Sequence, residues 1–108
     1  MGALPPTGRS RNMLVGILQA ELVIDGALSL KDKRRVLASL KQTLRNDFPI
    51  SVAEVDRMDD PRAAVLGITL ASNDSAHCHS VLDTVLDRLR NSRGCHLGAH
   101  AKEVLGGV

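Results

Sequence analysis

The chain has 108 residues, 44% apolar and 24% charged, which is the balance of one soluble domain. No apolar run reaches the ~18 residues of a membrane span, and the first dozen residues lack the apolar segment of a signal peptide. We therefore expect a cytoplasmic protein with no membrane partner and with reduced thiols at Cys78 and Cys95. The net charge of +2 is uneven, because residues 1–45 hold eight bases and three acids, whereas residues 46–108 hold six bases and nine acids.

The hydrophobic pattern predicts six elements between two short ends. Residues 1–12 contain two Pro and two Gly without periodicity, so we expect a disordered leader, and residues 106–108 are expected to be a tail. Alternating and helical periodicities predict, in chain order, a strand at 14–25, a helix at 29–46, strands at 50–58 and 63–72, a helix from 73 or 74 to 92, and a strand at 95–105.

The order βαββαβ defines the expected architecture. Right-handed crossovers place both helices on one face of a four-stranded antiparallel sheet. The fold class is therefore α+β, a ferredoxin-like plait formed by a single domain at residues 13–105. This fold hosts many unrelated functions, so function must be argued from individual residues.

The first helix has a basic face opposite its apolar stripe. At ~100° per residue, Val36, Leu37, Leu40 and Leu44 form the stripe that faces the core. The opposite face contains five bases with no acid among them, and these are Lys31, Arg34, Arg35, Lys41 and Arg45. Such a face attracts phosphates through charge and counterion release, so these five are the candidate nucleic-acid-binding residues. The alternative interpretation is a helix face that is merely solvated.

Lys33 differs from the other bases of the helix because it lies on the apolar stripe, one turn before Leu37. A lysine at such a position must extend past the helix start or meet a carboxylate. Glu54 and Asp56 on the second strand are the candidate partners in a structural ion pair. A buried lysine could instead act as a nucleophile or base, but no other residue supports that role.

Known catalytic and cofactor motifs are absent from the sequence. It contains no Gly-x-Gly-x-x-Gly, Walker or Gly-x-Ser-x-Gly motif. His79, His96 and His100 could approach one another, but they lack the spacing of zinc ligands. We predict no catalytic residue, no cofactor, no metal site and no small-molecule substrate. Phe48 is the only aromatic residue, so bases cannot stack on rings of the sheet.

Four segments resemble a known family. The run Ser29–Val36, the run Ser51–Asp56, the pair Leu66-Gly67 and the run Ser72–Asp74 resemble the YlxP-like family of small bacterial proteins, a domain of unknown function, over about residues 13–105. The resemblance implies a ferredoxin-like plait. The family's genes often lie near those of a translation initiation factor and ribosome-binding factor A, which implies an RNA-related role. Relatives often have a bulky aromatic before the third strand, where this chain has Asp60-Pro61-Arg62.

Three functional hypotheses follow. The first is a non-enzymatic accessory protein that binds ribosomal RNA or ribosomal components through the basic helix. The second is an interaction module that forms a homodimer through the sheet face without helices, and the relevant residues are Val15, Ile17, Val23, Val65 and Thr69. The third is a small hydrolase or phosphate-binding enzyme, which requires Lys33, Glu54 and Asn73 to converge.

Overall fold

The computed structural model describes residues 12–106 and has the predicted order of elements. The elements are β1 (Leu14–Ile24), α1 (Leu30–Asp47), β2 (Ser51–Asp56), β3 (Ala63–Ser72), α2 (Ser75–Arg90) and β4 (Cys95–Leu105). The antiparallel sheet has the strand order β2-β3-β1-β4. This confirms the ferredoxin-like plait. Residues 1–11 and 107–108, which include nearly all of the predicted leader and tail, lie outside the described residues. Neither helix is long and apolar enough to cross a membrane.

Short polar side chains begin both helices. Ser29 is the N-cap of α1, and its side chain accepts a hydrogen bond from the Asp32 backbone N–H at 3.2 Å. Asp74 caps α2 by accepting from the N–H groups of Ala76 and His77. Each cap satisfies donors that have no partner within the helix, which contributes about 1 kcal/mol.

One layer of aliphatic side chains joins the sheet to the helices. Leu18 and Leu22 of β1 are fully buried, as are Leu66 and Ile68 of β3. α1 packs near β2, whereas α2 packs over β1, β3 and β4. The buried residues that the helices contribute are Lys33, Leu37, Leu40, Leu44, Cys78, Leu82, Val85, Leu86 and Leu89. Each fully buried Leu, Val or Ile contributes about 1.5–3 kcal/mol.

β2 is shorter than the predicted strand at 50–58. The pairing register of β2 with β3 shifts between Glu54 and Asp56, and Arg57 adopts a left-handed backbone with φ of 58°. A residue other than glycine adopts this backbone conformation only at a cost in conformational energy. Here the Arg57 N–H donates a hydrogen bond to Asp56 Oδ1 at 2.8 Å. The bulge and the left-handed residue together end the strand and begin the hairpin loop.

The sheet face without helices is less uniform than the sequence indicates. Val65 lies on this face, between Glu21 of β1 and Asp56 of β2, but it is only 3% exposed. Arg57 Nη2 lies 3.9 Å from Oε1 of Glu21, the residue of β1 that pairs with Val65, so a polar contact joins the hairpin loop to β1 beside this position. The predicted apolar face is therefore interrupted by a polar bridge, and Val65 is not accessible on it.

Candidate functional site

The first half of α1 presents three unpaired bases to solvent. Lys31, Arg34 and Arg35 are exposed, and none of them forms a hydrogen bond or ion pair with residues 12–106. The sequence pattern explains the orientation, because the residues on the opposite side of the helix enter the core. No donor of these three side chains is therefore used within residues 12–106, and all of them point to solvent there.

The other two predicted bases are more constrained. Lys41 is half-buried, whereas Arg45 is exposed but donates from Nη2 to the Val52 carbonyl at 2.7 Å. Val52 belongs to β2, an edge strand, so Arg45 ties the second half of α1 to the sheet. Arg45 keeps its charge and its remaining N–H groups, and it can still attract an anion.

Among residues 12–106, Lys33 is the one charged residue that is buried, at 1% exposure. Its Nζ donates to the carbonyls of Arg57 at 2.8 Å, Ala63 at 3.0 Å and Met58 at 3.3 Å. Glu54 Oε2 lies 2.8 Å from the same Nζ. An ammonium group has three protons, so the three carbonyls use all of its donors while the Glu54 carboxylate balances its charge. Lys33 therefore has the contacts of a structural group that fastens the start of α1 to the β2–β3 hairpin.

The two predicted carboxylate partners of Lys33 differ in position. Glu54 Oε2 is buried and lies 2.8 Å from the ammonium group, with which it forms an ion pair. Asp56 lies beyond the register shift, where its Oδ1 accepts from the Arg57 N–H, and it forms no ion pair within residues 12–106. The bulge separates the two carboxylates, and its position is not visible in a period-two pattern.

The residues required by the hydrolase hypothesis do not converge. Lys33 Nζ contacts the Ala63 carbonyl at the first residue of β3, whereas Asn73 directly follows the last residue of that strand. Ten residues of extended strand span about 33 Å. Among residues 12–106, no three His, Cys, Asp or Glu side chains form a group that could hold a metal ion. His96 Nε2 instead lies 2.8 Å from Asp25 Oδ2 on the surface.

Two further arginines, which the sequence analysis did not select, join the basic surface. Arg88 and Arg93 line a groove of about 420 Å³ between the helices together with Arg35. Arg88 pairs with Asp47, and its guanidinium carbon lies 5.3 Å from the ring centre of Phe48. The sequence does show a concentration of bases at the end of α2, which could have indicated these two arginines. Spacing within one helix, however, cannot show which residues of a second helix lie opposite it.

Two titratable groups are shifted by their surroundings. A hydrogen bond from Lys102 Nζ, 2.6 Å from Asp83 Oδ1, holds the pKa of the exposed Asp83 carboxyl below its ordinary value. Burial raises the pKa of the Cys95 thiol, and the nearby Asp25 charge adds to the effect. A raised thiol pKa disfavours the nucleophilic thiolate, so Cys95 has the character of a packed residue rather than a reactive one.

Comparison with known proteins places the chain in a family. The family model described as "Protein of unknown function (DUF503)" matches residues 15–101. The chain belongs to this family. An uncharacterized protein of Bacillus subtilis (strain 168), YlxP, is 30% identical over 73 residues, which cover 68% of this chain and 79% of that protein.

Two designed proteins have a similar backbone. The de novo designed protein Foldit4 has a TM-score of 0.51 at 8% identity, over 86% of this chain and 96% of that one. The designed protein LFR1 1 with ferredoxin fold has a TM-score of 0.51 at 11% identity, over 83% of each chain. At these identities the likeness shows the ferredoxin-like fold alone.

Proposed function

We propose that this protein is a non-enzymatic accessory protein that binds structured RNA, such as ribosomal RNA, through the outward face of α1. Lys31, Arg34 and Arg35 contact phosphates at the first half of the helix, and Lys41 and Arg45 extend the contact along it. The observation that carries the proposal is the lack of ion-pair partners for all five side chains among residues 12–106.

The pairing of the other bases supports this choice of surface. The bases with a carboxylate partner are Lys33, Arg57, Arg88, Arg90 and Lys102. Positive charge is therefore paired in several places, whereas the five outward bases of α1 have no carboxylate partner among residues 12–106. A cluster of uncompensated bases attracts a polyanion, and the release of condensed counterions drives the binding.

The kind of contact is limited by the lack of aromatic residues. Phe48 is the single Phe, Tyr or Trp of the chain, and it is half-buried with the Arg88 guanidinium over it, while the outward face of α1 has no aromatic ring. Recognition of single-stranded RNA usually relies on bases stacked on exposed rings, whereas helical RNA is recognised by its shape and its phosphates. The surface therefore suits an RNA helix better than an unpaired strand.

A pair of charge-reversal variants tests the proposal. Arg34→Glu with Arg35→Glu changes the basic face, and Arg62→Glu with Arg90→Glu gives the same change of net charge elsewhere on the surface. Ribosome co-sedimentation and binding to a helical fragment of ribosomal RNA are measured for both. We expect the α1 variant to lose most of its binding and the matched control to keep it. Five phosphate contacts predict a slope of log K against log salt of about −4.

The outcomes are distinct. If the α1 variant binds like the unmodified protein, the proposal fails. An equal loss in both variants would show that only net charge matters, which also contradicts a defined site on α1. Capture from cells with and without nuclease provides an independent check, since recovery of ribosomal components through RNA contact should be sensitive to nuclease.

The alternative, homodimerisation through the sheet face without helices, has less support. Val23 is 51% exposed, but Val15 and Ile17 are half-buried and Val65 is only 3% exposed. A dimer interface generally needs a continuous apolar centre. Light scattering after size exclusion tests this alternative directly, because a dimeric mass at high protein concentration would favour it.

A further inference from the structure

The groove between the two helices concentrates positive charge in a concave site. Arg35 lies on its α1 side, Arg88 lies on the last turns of α2, and Arg93 follows that helix. The volume of about 420 Å³ falls within the range of ~300–1,000 Å³ that is usual for ligand pockets. Asp47, paired with Arg88, is the one carboxylate among residues 12–106 that forms an ion pair with these three bases.

Small side chains create the groove. The flank of α1 that faces α2 contains Ser39 and Thr43, and Ser92 lies across from them. None of the three is large enough to fill the space between the helices in the way that Leu37 and Leu44 fill the core. Polar side chains and bases therefore line the opening, whereas Val36 and Leu40 provide its apolar lining.

The donors of the groove are unequally engaged. Thr43 Oγ1 donates to the Ser39 carbonyl at 3.0 Å, and Ser92 Oγ donates to the Arg88 carbonyl at 2.7 Å, so both hydroxyl protons are occupied. The Arg35 and Arg93 side chains have no hydrogen-bond partner within the described part of the chain, and neither does the Ser39 hydroxyl. Arg88 is held between Asp47 and the Phe48 ring, which fixes its position.

We propose that this groove binds a phosphate group of the RNA backbone. Arg35 and Arg93 donate to the phosphate oxygens from the two sides of the groove, and the immobilised Arg88 contributes a fixed positive charge between the helices. Planar guanidinium groups suit this task because each can donate two parallel hydrogen bonds to one phosphate. The inference rests on the proposed function, to which it adds two arginines that do not belong to α1.

The decisive variant is Arg93→Gln, with Arg90→Gln as its matched control. Both remove one positive charge near the end of α2, but Arg90 pairs with Asp87 and does not line the groove. Affinity for a short RNA duplex of fixed sequence is measured at several salt concentrations. We expect R93Q to weaken binding about ten-fold, as for a lost charge-assisted hydrogen bond, and to reduce the salt slope by about one. R90Q should stay within about two-fold of the unmodified protein.

A second measurement separates the groove from the proposed function. In NMR spectra, inorganic pyrophosphate should shift the Nε–Hε signals of Arg35 and Arg93 and leave that of Arg62 unchanged. If R93Q and R90Q bind the duplex equally, the groove proposal is overturned, even when the α1 charge reversal abolishes binding. If the unmodified protein does not bind the duplex, the proposed function fails; shifts at Arg35 and Arg93 would still support an anion site, and no shifts would overturn it.

Discussion

Replacement of Lys33 by Met should cost this domain a large part of its stability. Methionine preserves most of the side-chain volume but removes the ammonium group, which has a carboxylate within 2.8 Å and donates to three carbonyls. Removal of one partner of a buried ion pair costs about 3–5 kcal/mol, because the other partner stays buried without compensation. Domains of this size are stable by only ~5–15 kcal/mol, so K33M should lower the melting temperature by at least ~10 °C.

The measurement is urea unfolding followed by circular dichroism at 222 nm, since the chain has no Trp or Tyr for fluorescence. Lys31→Met is the matched control, because Lys31 is exposed on the same helix and should cost less than ~0.5 kcal/mol. Adding Glu54→Leu to K33M should recover part of the loss, since the buried carboxylate is then also removed. A K33M protein within ~1 kcal/mol of the control would refute the structural role assigned to Lys33.

Three further predictions concern other parts of the fold. Lys102 lowers the folded-state pKa of Asp83, so this pair stabilises the fold above the unfolded-state pKa, and the stabilisation is lost as the pH falls through the folded-state pKa. Asp83→Asn should therefore be less stable than the unmodified protein at neutral pH. The stabilities of the two proteins should converge below about pH 4. The raised pKa and burial of Cys95 should make its alkylation by iodoacetamide slow, with mass spectrometry showing fast labelling only in urea. Gly16→Ala should lower the free energy of unfolding in urea by about 1–3 kcal/mol, because a Cβ at this position would lie 2.7 Å from Leu70 Cδ2. Rapid labelling of Cys95 in the native state would contradict the described packing around Cys95. A Gly16→Ala variant of unchanged stability would contradict the described packing around Gly16.

The sequence was sufficient to predict the fold, because the helical and the strand periods of the apolar residues determined the order of the elements. The bounds of β3 and β4 agree with the alternation of apolar residues, and the helical stripe placed Leu37, Leu40 and Leu44 in the core. The same wheel separated Lys33 from the outward bases. Periodicity describes each helix or strand by itself, however. The features that differ from the sequence-based predictions all depend on contacts between elements.

The candidate site shows this limit clearly. A bulge at the end of β2 decided that Glu54, and not Asp56, contacts Lys33, and no pattern of alternation reveals where a bulge occurs. Arg93 became part of the basic surface only because α2 ends beside α1. The outward orientation of the α1 bases, in contrast, could be predicted from the sequence because it needs nothing beyond the geometry of one helix.

The attachments at the two ends of α1 have a consequence for any partner that docks on it. Lys33 fastens the first turn to the β2–β3 hairpin, and Arg45 fastens the last turns to Val52, about 18 Å further along the helix axis. A helix held at both ends cannot shift to follow the contour of a ligand. The backbone that carries the bases is therefore ordered before binding, so little backbone entropy is lost on the protein side, and only the exposed lysine and arginine side chains still lose rotamer freedom.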